Sequence, residues 1–325
     1  MPNITTHKIF TNKSIKKLGT KKLAFSLIEL SVVILIVGIL VLGVTKGTKV
    51  LSSAKLASAA SLTAGSPVRI TDGLSLWLDA TDKNQVAVGT AGSGVYGNPT
   101  DNADVTDWKN KYGANLEDII FSAASGSDSP KYVAQGIGNL PTIRFNGVNR
   151  LITTTSSFLN QTSNPSLEAD SSHDVTIFLV EKIKNPPTLA RSTIFRFISG
   201  SNNIYTTLQI NSNSTLRFEY SNNTSGRLDG SQNIINDQNT LLIFDQTSTT
   251  QSIYVNSATT TDARQSTVVD FDGHTGELFA IGAYGIVNSA KVDIGELIIF
   301  KRSVSKAERQ AIADYLSTKW GIKLN

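Results

Sequence analysis

The sequence predicts an N-terminal α-helix long enough to cross a membrane, followed by an all-β sandwich or barrel that ends in a short helix. Three observations lead to this prediction. A single apolar run covers residues 25–45, many short strand-like runs separated by polar turns follow residue 73, and a helix-capping pattern stands near the C-terminus. With 40% hydrophobic residues in a chain of 325, there is enough apolar material for a substantial core.

The apolar run predicts a transmembrane helix whose N-terminus lies in the cytoplasm. Between Phe25 and Thr45 the only charged residue is Glu29. A helix over these residues is about 32 Å long at ~1.5 Å per residue, which matches the ~30 Å hydrocarbon core of a bilayer. The first 24 residues contain six lysines and no acidic residue, so the positive-inside bias sends the rest of the chain across the membrane.

Glu29 is unusual because a carboxylate inside a membrane helix costs about 2.5–3.5 kcal/mol. It needs a cationic partner, yet no Lys or Arg occurs between Lys22 and Lys46. A new α-amino group produced by cleavage of the chain nearby would supply one. Beyond the span, we expect the helix to continue through residues 46–62 and a domain boundary to fall at residues 63–72.

The segment KKLAFSLIEL at residues 21–30 resembles the signal sequence of type IV prepilins and type II secretion pseudopilins. The resemblance implies that residues 1–24 are a leader, that prepilin peptidase cleaves after Ala24, and that the new N-terminal Phe25 is methylated. Glu29, the fifth mature residue, would pair with the amine of a neighbouring subunit, and residues 25–64 would form the N-terminal helix. Ala24 departs from the more common Gly. Two alternatives are a plain signal anchor and a secretory signal peptide cleaved near residues 57–59, although the apolar run exceeds the usual length of such a peptide.

Charge and cysteine content exclude several functions for the remaining chain. Without the leader, 24 basic and 26 acidic residues give a net charge of −2 with no Lys/Arg cluster, so we expect no nucleic-acid partner. The chain has no cysteine, which excludes disulfides, thiolate metal sites and cysteine nucleophiles.

The large domain is predicted to be built of short strands. In TLRFEY, the apolar Leu216 and Phe218 alternate with Arg217 and Glu219, which is the pattern of a half-buried strand. The predicted strands cover residues 74–80, 142–147, 175–183, 193–200, 205–210, 215–220, 240–246, 252–257, 277–284 and 291–302. After them, Ser305 and Glu308 form a capping-box pattern and Gly321 can end the helix.

The blocks GLSLWLDA, LPTIRFNG and VDIGELIIF, with the KWGI ending of the last helix, resemble concanavalin A-like and laminin G-like jelly-roll domains of bacterial surface proteins. The resemblance covers residues 72–325 and implies two antiparallel sheets. Such domains often bind carbohydrate, sometimes with calcium, and many are structural. Hydrolases of this fold class carry a pattern close to Glu-x-Asp-x-Glu, which is absent here. Asp293 and Glu296, three residues apart in a strand, should point to opposite faces, which argues against this type of hydrolase without excluding an unfamiliar one. We expect the chain not to be an enzyme.

Four residues are candidates for ligand binding in the domain. Asp270 and Asp272 could supply oxygens to calcium, although an Asp-Gly turn explains the same residues. Trp77 and Trp108 could stack on sugars, although large aromatics are more often core residues. No other cofactor is expected, since three histidines, one of them in the leader, make a multi-histidine zinc site improbable.

These features together predict a minor pilin or pseudopilin subunit that displays a lectin-like adhesion domain. Its partners would be prepilin peptidase, other pilin subunits, the bacterial inner membrane and surface carbohydrate. The domain would lie in the periplasm or outside the cell. The alternatives are a membrane-tethered carbohydrate-binding protein that never polymerises and a surface glycoside hydrolase.

Overall fold

In a computed structural model, the protein is described over residues 27–111, 119–153, 174–184, 191–198, 205–220, 227–234, 237–266, 278–282 and 290–325. The chain divides into two compact units, residues 1–50 and residues 51–325.

Helix α1 (Leu27–Ala64) contains 38 residues and carries Glu29 in its first turn. Up to residue 40 its described side chains are exposed. Among the residues whose side chains the structure describes, no helix is long and apolar enough to cross a membrane. The last turns of α1, residues 51–64, belong to the second compact unit, where Ala59 is buried.

The second unit is a β-sandwich, as predicted. Within the described residues its strands are β1 (Leu74–Asp79), β2 (Val86–Val88), β3 (Val95–Tyr96), β4 (Val105–Lys109), β5 (Ile120–Ser122), β6 (Lys131–Val133), β7 (Thr142–Asn146), β8 (Arg150–Thr153), β9 (Val175–Ile183), β10 (Arg191–Ile198), β11 (Tyr205–Asn211), β12 (Thr215–Tyr220), β13 (Leu228–Asn233), β14 (Asn239–Gln246), β15 (Gln251–Val255), β16 (Ala263–Gln265), β17 (Leu278–Gly282) and β18 (Lys291–Phe300). One-turn 3₁₀ helices occupy Pro67–Arg69, Gly126–Asp128 and Ile137–Asn139.

The strands form two antiparallel sheets. Sheet A has the order β16-β15-β14-β9-β18-β7-β6, and sheet B has the order β13-β12-β11-β10-β17-β8-β5-β4-β2-β3. The long strand β18 has β9 on one side, while β7 pairs with its first residues and β1 with its last. The change of partner from β7 to β1 falls at Gly295.

Two hydrophobic clusters make the structure three layers deep. The larger cluster lies between the sheets and includes Leu179 and Leu297 of sheet A with Phe218 of sheet B. The smaller cluster lies on the other face of sheet A, which is covered by the last turns of α1 and by helix α2 (Lys306–Trp320). Sheet A is therefore covered on both faces.

Helix α2 confirms the predicted capping box. The backbone N–H of Glu308 donates to Ser305 Oγ at 3.3 Å, and the backbone N–H of Ser305 donates to Glu308 Oε2 at 2.8 Å. Gly321 ends the helix in the left-handed conformation at φ 65°.

The expectation that Asp293 and Glu296 point to opposite faces of β18 is wrong. Ile294 and Leu297 both face the cluster between the sheets, although they are three residues apart. The pairing of β18 with β9 shifts register between Ile294 and Glu296, as at a β-bulge. Because of this shift, Asp293 and Glu296 both point to the helix-covered face of sheet A.

Candidate functional site

A cluster of charged and aromatic side chains is buried where α1, β1, β18 and α2 meet. On β1, Leu76 and Leu78 face the core between the sheets, so Asp79 points towards the helices. Asp79 lies directly opposite Glu296 in the pairing of β1 with β18. Two carboxylates therefore stand side by side on one face of the sheet, and Lys319 of α2 reaches both of them. We call Asp79, Glu296 and Lys319 the buried triad.

The distances within the buried triad are those of hydrogen bonds. Lys319 Nζ lies 2.8 Å from Asp79 Oδ2 and 2.8 Å from Glu296 Oε2. The side chains of Lys319, Asp79 and Glu296 are 0%, 1% and 0% exposed. A buried charge is tolerated only when it is paired and hydrogen-bonded, which is the case for all three.

Aromatic side chains complete the coordination of Glu296. Its Oε1 accepts from Trp77 Nε1 at 2.7 Å and from Tyr315 Oη at 2.8 Å, and its Oε2 also accepts from Trp320 Nε1 at 2.8 Å. The indoles of Trp77 and Trp320 are fully buried and surround the carboxylate with apolar rings. Glu296 is therefore held in one orientation.

Asp79 is held by different groups on its two oxygens. Oδ1 accepts from the backbone N–H of Thr81 at 3.0 Å and from Thr81 Oγ1 at 2.7 Å. Oδ2 faces Lys319 and also accepts from Thr63 Oγ1, in the last turn of α1, at 3.4 Å. Lys111 Nζ lies 3.7 Å from Oδ2 and 2.5 Å from Asp82 Oδ2.

The pKa values of the two carboxylates are shifted in opposite directions. Burial raises the pKa of Glu296, and Asp79 adds to this, while Lys319 only partly offsets it. Burial alone would also raise the pKa of Asp79, but the charges of Lys319 and Lys111 outweigh it and the pKa is lowered. Burial would lower the pKa of Lys319, but its two carboxylate partners raise it instead. The resting state is therefore a Lys319–Asp79 ion pair beside a carboxyl group that takes up a proton more readily.

An open cleft of about 540 Å³ adjoins Asp79. Its apolar wall is the last part of α1, with Leu56 and Ala60, and its polar wall is the segment from Asp79 to Asn84 together with Lys111. Asp79 is therefore the member of the buried triad that lies next to the cleft.

A second polar cluster lies on the face of sheet B that points away from the core, where Gln209 and Arg217 are themselves buried, each with 7% exposure. Leu208 and Phe218 face the core, so Gln209 and Arg217 of the adjacent strands β11 and β12 point outward. Arg217 Nε donates to Asp229 Oδ1 at 2.6 Å. Burial alone would raise the pKa of Asp229, but the hydrogen bonds from Arg217 and two other side chains lower it. Gln209 Nε2 donates to a neighbouring hydroxyl, whereas its buried Oε1 has no hydrogen-bond partner in the described part of the protein.

The structure places the predicted site residues in very different surroundings. Ala24, Phe25, Asp270 and Asp272 lie outside the described residues. Glu29 lies in the first turn of α1.

Trp77 and Trp108 cannot serve as sugar platforms in this structure. Both side chains are 0% exposed: Trp77 lies in the smaller cluster and Trp108 in the larger one. The core interpretation of these two residues is therefore the correct one. Among the described residues there is also no group of three or more metal-ligating His, Asp or Glu side chains.

The sequence analysis did not identify the buried triad, although each member interrupts an apolar pattern. Glu296 stands within the apolar strand β18, Asp79 ends the apolar strand β1, and Lys319 lies beside Trp320 on the buried face of α2. Charged residues at core positions of three separate elements were the available signal.

Comparison with known proteins gives only distant similarities. No family model and no curated protein matches the sequence. Similar solved structures include Trypanosoma rangeli sialidase in complex with sialic acid, with 13% identity and a TM-score of 0.47 over 76% of this chain and 33% of the sialidase. Another is the CBM40 domain of Ruminococcus gnavus IT-sialidase bound to α2,3-sialyllactose, with 11% identity and a TM-score of 0.42 over 53% of this chain and 96% of that domain. The chain spans about a third of the length of the sialidases it matches. With TM-scores below 0.5, these similarities assign neither a family nor an activity.

The expectation that the chain is not an enzyme does not stand: sialidases are among the similar structures, although their TM-scores below 0.5 assign no activity to this chain. One structural premise of that expectation, the opposite orientation of Asp293 and Glu296, is also wrong, as the register shift in β18 shows. We therefore withdraw the expectation.

Proposed function

We propose that this chain is a prepilin-type surface protein of a bacterium, and that its β-sandwich is displayed by the N-terminal helix as a recognition domain. The chain is inserted in the inner membrane, cleaved after Ala24 by prepilin peptidase and N-methylated at Phe25. It then joins other pilin or pseudopilin subunits as a minor component through Glu29. The sandwich lies in the periplasm or outside the cell.

The observation that supports this proposal most directly is the extent of α1. The helix is already formed at Leu27, the first residue that the structure describes, and it includes Glu29. The same helix continues to Ala64, and Thr63 in its last turn hydrogen-bonds Tyr315 and Asp79 of the sandwich unit. One continuous element thus carries both the proposed assembly residue and the attachment to the displayed domain.

The polar cluster on sheet B supports a role in binding carbohydrate, with Asp229 as its accessible group at 37% side-chain exposure and Arg217 buried behind it at 8%. The amide of Gln209, the guanidinium of Arg217 and the carboxylate of Asp229 are planar donors and acceptors, the groups that hydrogen-bond hydroxyls with defined geometry. A pair such as Arg217–Asp229 also fixes the orientation of both partners in advance.

The mature N-terminus, measured by mass spectrometry on protein from a membrane that contains prepilin peptidase, tests the proposal. We expect a chain that begins with N-methylated Phe25. Ala24→Leu should leave the leader attached, whereas Ala24→Gly should be processed. Glu29→Val should be processed but excluded from purified filaments. An intact leader on the unmodified chain contradicts prepilin processing, and a start near Ala60 indicates a secreted protein.

A tethered carbohydrate-binding protein that never polymerises is the second candidate, favoured by the same polar cluster on sheet B. A glycan array probed with the full-length protein addresses it. We expect binding that Arg217→Ala abolishes and that Arg264→Ala, an exposed arginine on β16 of sheet A, does not change. Binding by a protein that is absent from filaments supports this second candidate over the first.

A further inference from the structure

The buried triad brings an amine, an acyl group and a second carboxyl group into direct contact. Lys319 Nζ is 2.8 Å from an oxygen of each carboxylate. The three side chains lie in a pocket closed by Trp77, Trp320 and Tyr315, and none is more than 1% exposed. In water an ammonium and a carboxylate do not condense, because both are strongly solvated ions and water is in excess. In this pocket the three side chains have lost almost all of their contact with water.

We propose that Lys319 Nζ and Asp79 Cγ form an intramolecular amide bond, with Glu296 as the catalytic residue that moves the protons. The bond would join β1, the first strand, to α2, the last helix, across 240 residues of sequence.

The condensation balances without an added reagent. The Lys319 ammonium passes one proton to Asp79 Oδ2, which gives an amine and a carboxylic acid. The nitrogen lone pair attacks Cγ, an N–Cγ bond forms, and the π-electrons of the carbonyl move to Oδ1. Glu296 takes a second proton from the nitrogen and delivers it to Oδ2. The electron pair on Oδ1 re-forms the carbonyl as the Cγ–Oδ2 bond breaks and water leaves, and Glu296 is again a carboxylate.

The contacts of Asp79 suit this role better than those of Glu296. The backbone N–H and Oγ1 of Thr81 both donate to Oδ1, at 3.0 and 2.7 Å, and can stabilise the negative charge that develops there. Oδ2, the leaving oxygen, faces Lys319, and Asp79 is the one carboxylate residue of the triad that lines the open cleft. The released water therefore has an exit. Glu296, in contrast, is fixed by Trp77, Tyr315 and Trp320, and has no such exit among the cleft-lining residues.

The condensation is accelerated because the fold holds the reacting side chains in contact before the reaction begins. Groups held at near-attack separations, about 3–3.5 Å, reach effective concentrations of roughly 10⁵–10⁸ M. The hydrogen bonds that hold Asp79 and Glu296 maintain this arrangement, and the apolar rings exclude the bulk water that would reverse the reaction.

Peptide mapping of the full-length purified protein by tandem mass spectrometry tests the proposal. We expect the peptides that contain Asp79 and Lys319 to appear as one cross-linked species, lighter than their sum by one water molecule. Glu296→Gln keeps the size of the side chain but cannot shuttle a proton, so both peptides should be recovered unlinked. Thr81→Val should reduce the linked fraction. Lys306→Arg is the matched control: Lys306 is an exposed lysine at the start of α2, away from the buried triad, so the link should remain.

The map of the unmodified chain alone decides whether the bond exists, so a variant that fails to fold does not affect that result. Free Lys319 in the unmodified protein would overturn the proposal. A link between Lys319 and Glu296 would overturn the assignment of Asp79 as the acyl group, and an undiminished link in Glu296→Gln would overturn the role of Glu296.

Discussion

Replacing Gly295 with alanine should destabilise the sandwich strongly, because the space beside its α-carbon is occupied by Trp320. A Cβ at Gly295 would lie 2.6 Å from Trp320 Cη2 and 2.7 Å from Cζ3, far closer than carbon atoms approach each other. The indole is fully buried and cannot rotate away without breaking its 2.8 Å hydrogen bond to Glu296.

The cost of this substitution can be estimated from two contributions. Overpacking a close-packed core costs about 1–3 kcal/mol. Moving the indole would also sacrifice a hydrogen bond to a charged group, which contributes about 1.5–3 kcal/mol. The structure will adopt whichever of these two changes costs less free energy, so we expect a loss of about 2–3 kcal/mol in the free energy of unfolding. At roughly 2–4 °C per kcal/mol for a domain of this size class, the midpoint of thermal unfolding should fall by about 4–12 °C.

Urea unfolding of the purified protein, followed by tryptophan fluorescence, measures this change as a lower midpoint with an unchanged slope. Gly126→Ala is the matched control, because a Cβ there meets no atom within 4 Å, and its effect should stay within about 0.5 kcal/mol. Equal stabilities of the two variants would refute the reasoning, since the predicted difference depends only on the contact with Trp320.

Three further predictions concern other polar contacts. Glu181 is fully buried, neither oxygen has a hydrogen-bond partner among the described residues, and burial followed by the charge of Asp293 raises its pKa well above 4.5. The free energy of unfolding should therefore fall as the pH rises above 4.5. Glu181→Met should remove this pH dependence and, in urea titrations at neutral pH, stabilise the protein by about 1–3 kcal/mol. The hydrogen bond from Arg302 lowers the pKa of Glu308 to about 2. The ionised Glu308 therefore stabilises the folded protein fully above pH 4.5, and this stabilisation is lost as the pH falls through about 2. Acid titrations of Glu308→Gln should not show this loss of stability. Thr63→Val removes the 3.1 Å contact with Tyr315 and should speed amide hydrogen exchange in the last turn of α1, whereas unchanged exchange would show that the contact does not hold the helix end.

The long strands and the last helix could be predicted because their signals are local. Strands β9 and β18 are nine and ten residues long, with six apolar residues each, and α2 begins with a capping box in which both hydrogen bonds join residues three apart. Such patterns need no knowledge of the rest of the chain.

Eight of the described strands were not predicted, and their composition explains why. Seven have only two to five residues, such as β3 (Val95–Tyr96), which is too short to show an alternation. Strand β13, with the sequence LDGSQN, is longer but has a single apolar side chain. It lies at the edge of sheet B and is held there by pairing with β12, so tertiary pairing and not propensity determines it.

The buried triad could not be predicted because it depends on register. Asp79 meets Glu296 only because β1 pairs with β18 beyond the bulge, where the face of β18 has already been reversed. Without that register shift Glu296 would point into the core between the sheets, away from Lys319. A shift of one residue in a strand is invisible in composition, yet it decides which side chains can react.

If the sandwich is displayed on the N-terminal helix, the proposed amide bond should make it resist a pulling force. In the described residues β1 pairs with β18 alone, so a load that enters near the end of α1 is resisted by one pair of strands and by the Asp79–Lys319 contact. An ion pair separates when water enters, whereas an amide does not. Pulling a single molecule between α1 and the C-terminus should extend Glu296→Gln by roughly 800 Å more than the unmodified chain, because 240 residues at about 3.3–3.6 Å each lie between the linked side chains. Equal extension of the two proteins would show that no covalent bond carries the load.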